Sequence, residues 1–446
     1  MAGPPEATGA ETVEAALARL GALHPKKIDL SLDRIEQLLD ALGRPQDRLP
    51  PVVHIAGTNG KGSTAAFLAA ISEAAGERVH VYTSPHLVRF NERIRLAGEI
   101  VDNARLTDAF LRCEAANAGR PITFFEITTA AALLLFAETP AERVILETGL
   151  GGRFDATNVL PNPAATIVTP VSFDHQAFLG GTLAEIAAEK AGIVKPGVPL
   201  VIGPQAPDAL HVIERAAMKL SAPVSIWGEH FRAYLEHDRL IYEEEDLLWD
   251  LPKPRLPGAH QVANAGAAIA AARLLGLPET AARKGVAEAR WPARLQRIAS
   301  GPLQAIAKSG DAELWLDGGH NIAAGEAVAS AMGEMEARNA RPLVLIAAFS
   351  KNKDARAYFD AFEGLAARVI AVTFQGGREG AQSAQDVADA ARAADIPAQT
   401  ASSLDAALFD ALEDHHQPRI LICGSLYLAG EALARGGGAA VQVTPG

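Results

Sequence analysis

The sequence predicts an α/β protein with a mostly parallel sheet, followed by a second, smaller doubly wound domain. Three observations predict it. The apolar run Val52 to Ala56 leads into the turn Gly57-Thr58-Asn59-Gly60-Lys61-Gly62-Ser63 and an alanine-rich helical segment. Short apolar runs then alternate with helical patterns as far as Arg290. A second alternation begins after Trp291-Pro292. The expected domains are therefore residues 1–292 and 293–446.

In chain order, residues 1–10 read as a frayed tail and Glu11 to Leu20 as a helix. Leu32, Ile35, Leu38, Leu39 and Leu42 recur at helical spacing and Gly43 closes that helix. After the glycine turn and its helix, Val79 to Thr83 is a strand running into Ser84-Pro85-His86-Leu87. Helices follow around Leu106, Phe110 and Leu111 and from Ile127 to Ala137, the second opened by Thr123-Phe124-Phe125-Glu126. Arg143 to Glu147 is a strand ending on an acid, before the loop Thr148 to Asn158. Ala165 to Thr169 is a strand with Asp174-His175 just past it, Leu183 to Ala191 a helix, and Pro199 to Gly203 another strand. Residues 228–256, charged and aromatic, read as a small antiparallel insertion, and a helix runs from Val262 to Leu275. In the second domain the expected strands are Leu314–Leu316, Leu343–Ala347, Val369–Thr373 and Ile420–Cys423, with helices at 323–338, 354–366, 384–395 and 404–414.

Composition narrows the function. Hydrophobic residues make up 49% and charged residues 21%, ordinary for a globular chain of 446 residues. A net charge of −12 argues against broad binding to nucleic acid or anionic membranes, so an anionic substrate needs a local basic pocket. Cys113 and Cys423 match no metal motif and read as buried thiols of a reducing compartment. No apolar run is long enough to span a bilayer, and the N-terminus has no signal-peptide pattern, so the expectation is a cytoplasmic protein.

The chemistry starts at the glycine turn. A strand, a glycine-rich loop with Lys61 and a helix N-terminus together cradle a polyphosphate: backbone N–H groups, a cation and the helix dipole all favour negative charge. Ile55 stands where the ordinary GxxxxGK[ST] loop has its first glycine, so this is a variant loop. Ser84, Glu147 and His175 lie at strand ends and offer oxygen and nitrogen donors to a hard cation such as Mg2+. Taken singly, each also reads as a turn serine, an ordinary acid or a loop histidine.

The phosphate loop resembles that of the Mur ligase superfamily. Within it, the chain resembles the folylpolyglutamate synthase and dihydrofolate synthase family. Matching segments include Leu23 to Leu30, Thr83-Ser84-Pro85-His86-Leu87, Thr123 to Glu126, Glu147 to Asn158, Asp174-His175, Ala188 to Ile193, Gly258 to Asn264, Trp291 to Gln296, Leu316 to Asn321 and Gly424 to Gly430. The resemblance implies an ATP-dependent ligase that adds L-glutamate to dihydropteroate, and to tetrahydrofolate or its derivatives, through an acyl phosphate. It implies ATP contacts at Gly57, Thr58, Asn59, Gly60, Lys61, Gly62, Ser63, Asn264, Arg294, Asp317 and His320. It places Mg2+ at Ser84, Glu147 and His175, and carbamylation at Lys190. Lys61, Lys190, His175 and Glu147 form the implied catalytic group. For the substrate it implies His24, Pro25, Thr123, Phe124, Phe125, Glu126, Arg153, Phe154, Asp155 and Ala156. Phe124 is expected to stack on the flat ring, Arg153 to orient a carboxylate and Asp155 to accept from pterin N–H groups. Asp155 also has a plainer reading, as a cap of its own turn.

Two departures stand out. Ala293 replaces a usual glycine before Arg294, and Phe349 to Asp354 follows the family pattern loosely, so Lys353 and Asp354 receive no role. The expected form is a monomer. Competing readings are a folylpolyglutamate synthase without dihydropteroate activity, a peptidoglycan-precursor ligase, and a non-catalytic nucleotide-binding regulator.

Overall fold

The structure, a computed structural model, describes residues 12–23, 29–375, 380–437 and 441–442. The expected tail at 1–10 lies outside the described residues, as do His24 and Pro25.

Strands β1 (Val52–Ala56), β2 (Val79–Tyr82), β3 (Ile94–Leu96), β4 (Glu99–Ile100), β5 (Arg143–Glu147), β6 (Ala165–Val168), β7 (Leu200–Ile202) and β8 (Val224–Ile226) form one sheet in the order β4-β3-β2-β5-β1-β6-β7-β8. β1 lies centrally, parallel to β5 on one side and β6 on the other. Such strands are covered on both faces, so all five residues of β1 are buried. Because β1, β2, β5 and β6 run parallel, the loops that follow them emerge at one edge of the sheet. Those loops are the phosphate loop, Ser84-Pro85, Thr148–Asn158 and Asp174-His175. Parallel pairing thereby collects segments far apart in sequence, at the edge where α/β sheets bind ligands.

The helix Lys61–Ala74 packs on this sheet and against the helices Ala259–Leu274 and Glu279–Glu288. The expected insertion is a three-stranded antiparallel sheet, β9 (Phe231–Glu236), β10 (Arg239–Glu244) and β11 (Leu247–Pro252). Its Phe231, Tyr242 and Trp249 join the same apolar core as the helix Ala259–Leu274. On the opposite face, the helices Asn103–Asn117 and Phe124–Glu138 build a second core with Phe90, Phe110 and Phe124. Of the apolar residues that marked the first of these helices, Leu106 and Phe110 are buried, whereas Leu111 is exposed.

The remaining strands are β12 (Gln296–Arg297), β13 (Glu313–Leu316), β14 (Leu343–Ala347), β15 (Ala366–Ala371), β16 (Ala398–Thr400) and β17 (Arg419–Cys423), in the order β12-β13-β17-β14-β15-β16. All pairs are parallel except the edge pair β12–β13. Apolar side chains fill both faces of this sheet. The helix expected over 354–366 is shorter. It runs Ala355–Phe359 and tightens to a 3-10 turn at Asp360–Phe362, because Gly364 turns the chain with φ +71° into β15. The hairpin β3–β4, the edge strands β8, β12 and β16, and the helices Pro207–Lys219, Pro302–Ser309 and Leu426–Gly437 carry no counterpart in the sequence reading. All of these strands are two or three residues long, too short for a period to register.

Gly285 lets two helices touch: a Cβ there would lie 2.5 Å from the backbone of Ile71. Backbone cannot rotate aside as a side chain can, so Gly285→Ala should cost about 1–3 kcal/mol by overpacking. Gly333, in the helix Ile322–Arg338, has nothing within 4 Å of such a Cβ. Gly333→Ala should therefore stabilise by about 0.5–1 kcal/mol through helix propensity. Urea unfolding of both variants checks the pair, whose effects should have opposite sign.

Candidate active site

The phosphate loop is wedged against its neighbours. Gly57 has φ +150°, and a Cβ there would sit 1.9 Å from Thr169 Oγ1, so no other residue fits without moving β6. Thr58 N–H and Asn59 N–H both donate to Pro170 O, at 2.9 and 3.2 Å. The Thr58 hydroxyl donates to Ser172 O at 3.0 Å. The helix Lys61–Ala74 starts after Gly60 with no side chain capping its first turn. By contrast, Thr123, Thr182 and Asn321 cap their own helices. An uncapped 14-residue helix directs free N–H groups and its positive end at whatever sits before it.

Before it lies a cavity of about 550 Å3, lined from both sheets. Gly57 to Ser63 form one wall, and His260, Asn264, Arg294, Asp317, His320 and Lys353 stand nearby. All eleven residues expected at the nucleotide therefore meet in one space. Within it, Asp317 is bound by main-chain N–H groups. Its carboxylate accepts from Leu295 N–H at 2.8 Å and Gly319 N–H at 2.7 Å. These bonds hold the turn around Arg294, whose neighbours Ala293 and Leu295 have φ +55° and +43°. The expected departure at Ala293 is thus a residue in the left-handed region where glycine is at ease.

Two lysines meet at one oxygen. Lys61 Nζ donates to Gly57 O at 3.0 Å and Lys190 Nζ to the same oxygen at 2.9 Å. Lys190 is 3% exposed. Burial, reinforced by the positive charge of Lys61, pushes its ammonium down to about 7. Lys190 forms no ion pair with Glu185 or Glu189 of its own helix. Glu185 closes a capping box with Thr182, and Glu189 faces Arg153 at 3.5 Å.

Ser84, Glu147 and His175 all line the cavity. Burial raises the Glu147 carboxyl, against the pull of Lys61, the Ser84 N–H and Arg294. Ser84 N–H donates to Glu147 Oε2 at 3.2 Å. Burial pushes the His175 imidazole down to about 4, and its Nδ1 is buried with no hydrogen-bond partner. A neutral imidazole, a carboxylate and a hydroxyl are a donor set that suits a hard divalent cation, and an unpartnered nitrogen fits a ligand atom. Among the described residues no three His, Cys, Asp or Glu side chains gather tightly enough to hold a metal alone. A bound cation would draw its remaining ligands from the serine, phosphates and water.

The sequence reading passed over Lys353, and the structure brings it in. Its Nζ lies 2.5 Å from Asp174 Oδ1, both side chains being little exposed. Burial alone would raise the Asp174 carboxyl, but His175, Lys353 and His320 together hold it well below the usual range. Asn321 bridges to Asp174 at 3.3 Å and to Asn59 at 3.0 Å. These contacts tie the β13–β17 side of the molecule to the phosphate loop. Only proximity in the fold reveals them, since Asp174 and Lys353 are 179 residues apart.

The expected substrate residues divide. Thr123, Phe125, Glu126, Phe154, Asp155 and Ala156 line the cavity. Phe124 does not. It is buried in the core with its ring edge-on to Phe90 at 5.9 Å, because consecutive residues on a helix point about 100° apart. Phe125 is the ring that faces the cavity, packed so closely on the loop that a Cβ at Gly149 would lie 2.4 Å from it. Arg153 is half exposed, points to Glu189 and the Ala188 carbonyl, and does not line the cavity. Asp155 is committed to its own loop. It accepts from Leu150 N–H at 2.8 Å and from Thr157 N–H at 3.0 Å, and takes the Thr157 hydroxyl as well. These bonds are those of the plainer reading, a carboxylate that shapes its turn, and Asp155 also lines the cavity. Glu126 similarly closes a capping box with Thr123 and pairs with Arg34 at 3.0 Å.

A dihydrofolate synthase/folylpolyglutamate synthase of Bacillus subtilis (strain 168) is 33% identical over 423 residues, 91% of this chain and 94% of its own length. The chain belongs to the dihydrofolate synthase/folylpolyglutamate synthase family. The family model of the Mur ligase middle domain matches residues 55–272, and that of the dihydrofolate synthetase C-terminal domain matches 303–435. Among solved structures, E. coli FolC in complex with DHPP and ADP superposes with a TM-score of 0.85 at 30% identity, covering 95% of this chain and 97% of that one. The bifunctional folylpolyglutamate synthase/dihydrofolate synthase of Yersinia pestis, complexed with AMPPNP and Mn ion, gives 0.84 at 29%, covering 97% and 99%.

The two phenylalanines of the family segment give a direct test. Phe124→Ala empties a core site and should cost about 3–5 kcal/mol of stability. Phe125→Ala should leave stability less affected and act on the binding of whatever enters the cavity. Melting temperatures and acceptor KM, measured together, separate the two.

Proposed function

We propose that this chain is an ATP-dependent ligase that joins L-glutamate to dihydropteroate, and then to tetrahydrofolate or its derivatives, through an acyl phosphate. The observation that carries the reading is the shared cavity. It joins an uncapped helix N-terminus and two convergent lysines to Thr123, Phe125 and Phe154 within one space. We further propose a functional division at 292/293, supported by Trp291 packing on the first core while Ala293 is buried in the second. We propose a monomer, and a reducing cytoplasmic location that suits the two buried free cysteines Cys113 and Cys423.

In this mechanism the phosphates of ATP lie on the phosphate loop, with Lys61 and Arg294 neutralising charge from opposite sides. Asn264 contacts the nucleotide, and Asp317 holds the Arg294 turn. Ser84, Glu147 and His175 would hold Mg2+, which when bound neutralises phosphate charge and polarises the group being transferred. Phe125 and Phe154 offer aromatic faces to the flat ring of the acceptor, placing its carboxylate near the γ-phosphate. Transfer gives the acyl phosphate and ADP. The free amine of glutamate then attacks the acyl carbon, phosphate leaves with the bonding pair, and the amine proton is lost. Lys190, as a free amine, adds to CO2 with formation of an N–C bond and release of a proton. The resulting carbamate replaces a cation by an anion close to Lys61.

A substrate panel tests the function: phosphate release dependent on glutamate with dihydropteroate, tetrahydrofolate or a muramyl nucleotide as acceptor. Activity with the first two is expected. Activity with tetrahydrofolate alone would select the narrower folylpolyglutamate synthase, and activity only with the muramyl nucleotide would refute the reading. Lys61→Ala should lose about 2.7–4 kcal/mol of transition-state stabilisation, roughly a hundred- to a thousandfold in kcat.

The Lys190 carbamate carries its own pH signature. Below about 7 the ammonium dominates and cannot react, whereas above it the free amine does. Carbon-13 NMR with labelled bicarbonate should therefore show a carbamate signal that grows as pH rises through about 7 and is absent from Lys190→Arg. A bare ammonium in active protein at saturating bicarbonate would overturn it.

A further inference from the structure

His54 occupies an unusual place. It sits in the middle of β1, level with Leu146 of β5 and Thr166 of β6, and is fully buried. An imidazole in the centre of an apolar parallel sheet is costly to desolvate unless its polar atoms are bonded. One of them is. His54 Nε2 lies 2.8 Å from the Thr157 hydroxyl. That hydroxyl is in turn 2.5 Å from Asp155 Oδ1.

The directions of these bonds follow from chemistry. Asp155 already accepts backbone N–H bonds from Leu150 and Thr157, which marks it as an acceptor. Thr157 has a single hydroxyl proton, and the short bond to Asp155 takes it. The Thr157 oxygen must then accept from His54, so the imidazole carries its proton on Nε2. Nδ1 is left as a bare lone pair, and it is the ring nitrogen that has no partner. Burial, with Lys195 adding to it, pushes the imidazole down to about 3, so the ring stays neutral and serves as a fixed donor.

We infer that His54 is a positioning residue for acceptor recognition: from the strand that carries the phosphate loop, it orients Thr157 and Asp155 and thereby sets the shape of the 149–158 loop. Phe154 and Ala156 of that loop face the cavity, and Gly149 packs under Phe125. One rigid strand thus supports the phosphate loop at its end and the opposite wall of the cavity through a side chain. The inference rests on the reading that this wall receives the pteroyl acceptor.

Two measurements test it on the full-length protein. Nitrogen-15 NMR of labelled histidine should show His54 as the neutral Nε2-protonated tautomer, with no titration over the pH range in which the protein stays folded. In steady-state kinetics, His54→Leu should raise acceptor KM about tenfold, the effect of one buried hydrogen bond, while ATP KM stays within about twofold. Thr157→Val, which breaks the relay from the loop end, should do the same, and the double variant should be no worse than either. His54→Gln, which restores an N–H donor, should recover part of the loss. An Nδ1-protonated ring, a folded His54→Leu with unchanged acceptor KM, or equal losses toward ATP and acceptor would each overturn the inference. If His54→Leu fails to fold, Thr157→Val and the wild-type tautomer decide it. A wild type inactive on every pteroyl acceptor would refute the proposed function, while the tautomer would still decide the relay.

Discussion

Two lysine side chains converge on the carbonyl oxygen of Gly57, and most of the site depends on that point. One comes from the helix that the phosphate loop opens, the other from a helix more than a hundred residues later. Among the described residues neither lysine pairs with a carboxylate, and both line the cavity. In a chain with an overall charge of −12, Lys61 and the uncapped helix N-terminus supply local positive charge at the phosphate loop. Burial depresses Lys190, and the charge of Lys61 close by adds to it. For this to happen the loop must press against β6, which is why Gly57 tolerates no side chain.

The second constraint is the junction between the two sheets. Asp174, one residue from His175, receives Lys353 and Asn321 from the far side, and Asn321 reaches Asn59 in the phosphate loop. A little-exposed ion pair contributes modest net stability, but losing one partner leaves an uncompensated charge at a cost of about 3–5 kcal/mol. Such a contact serves better as a latch of defined geometry than as a source of stability. It places the Asp174-His175 turn, with His175 at φ +51°, in register with Arg294 and His320 only when the two sides are together.

Several residues expected at the substrate have other contacts in the structure. Phe124 and Phe125 differ by one position on a helix, so one enters the core and the other the cavity. Arg153 carries a charge suited to a carboxylate, yet the turn sends it to Glu189 at the surface. Asp155 has acceptor oxygens suited to a pterin, but nearby backbone N–H groups and Thr157 satisfy them first. In each case the residue type allows the expected role, and the contacts made in the structure are set by side-chain direction and by the nearest backbone donors.

The sequence by itself determined the α/β class, the central strand with its phosphate loop, most strand and helix positions, and which segments build the site. These follow from local facts: apolar period, glycine and lysine spacing, and chain order. Tertiary structure decided the rest. It chose which face of the Phe-Phe-Glu helix turns inward and brought Lys353 to Asp174 across 179 positions. It set two lysines on one carbonyl and coupled His54 to the loop beside it through Thr157. The physical reason is the same throughout. Hydrogen bonds, burial and charge coupling act over a few ångströms in space, and no spacing along the chain records which distant groups will come that close.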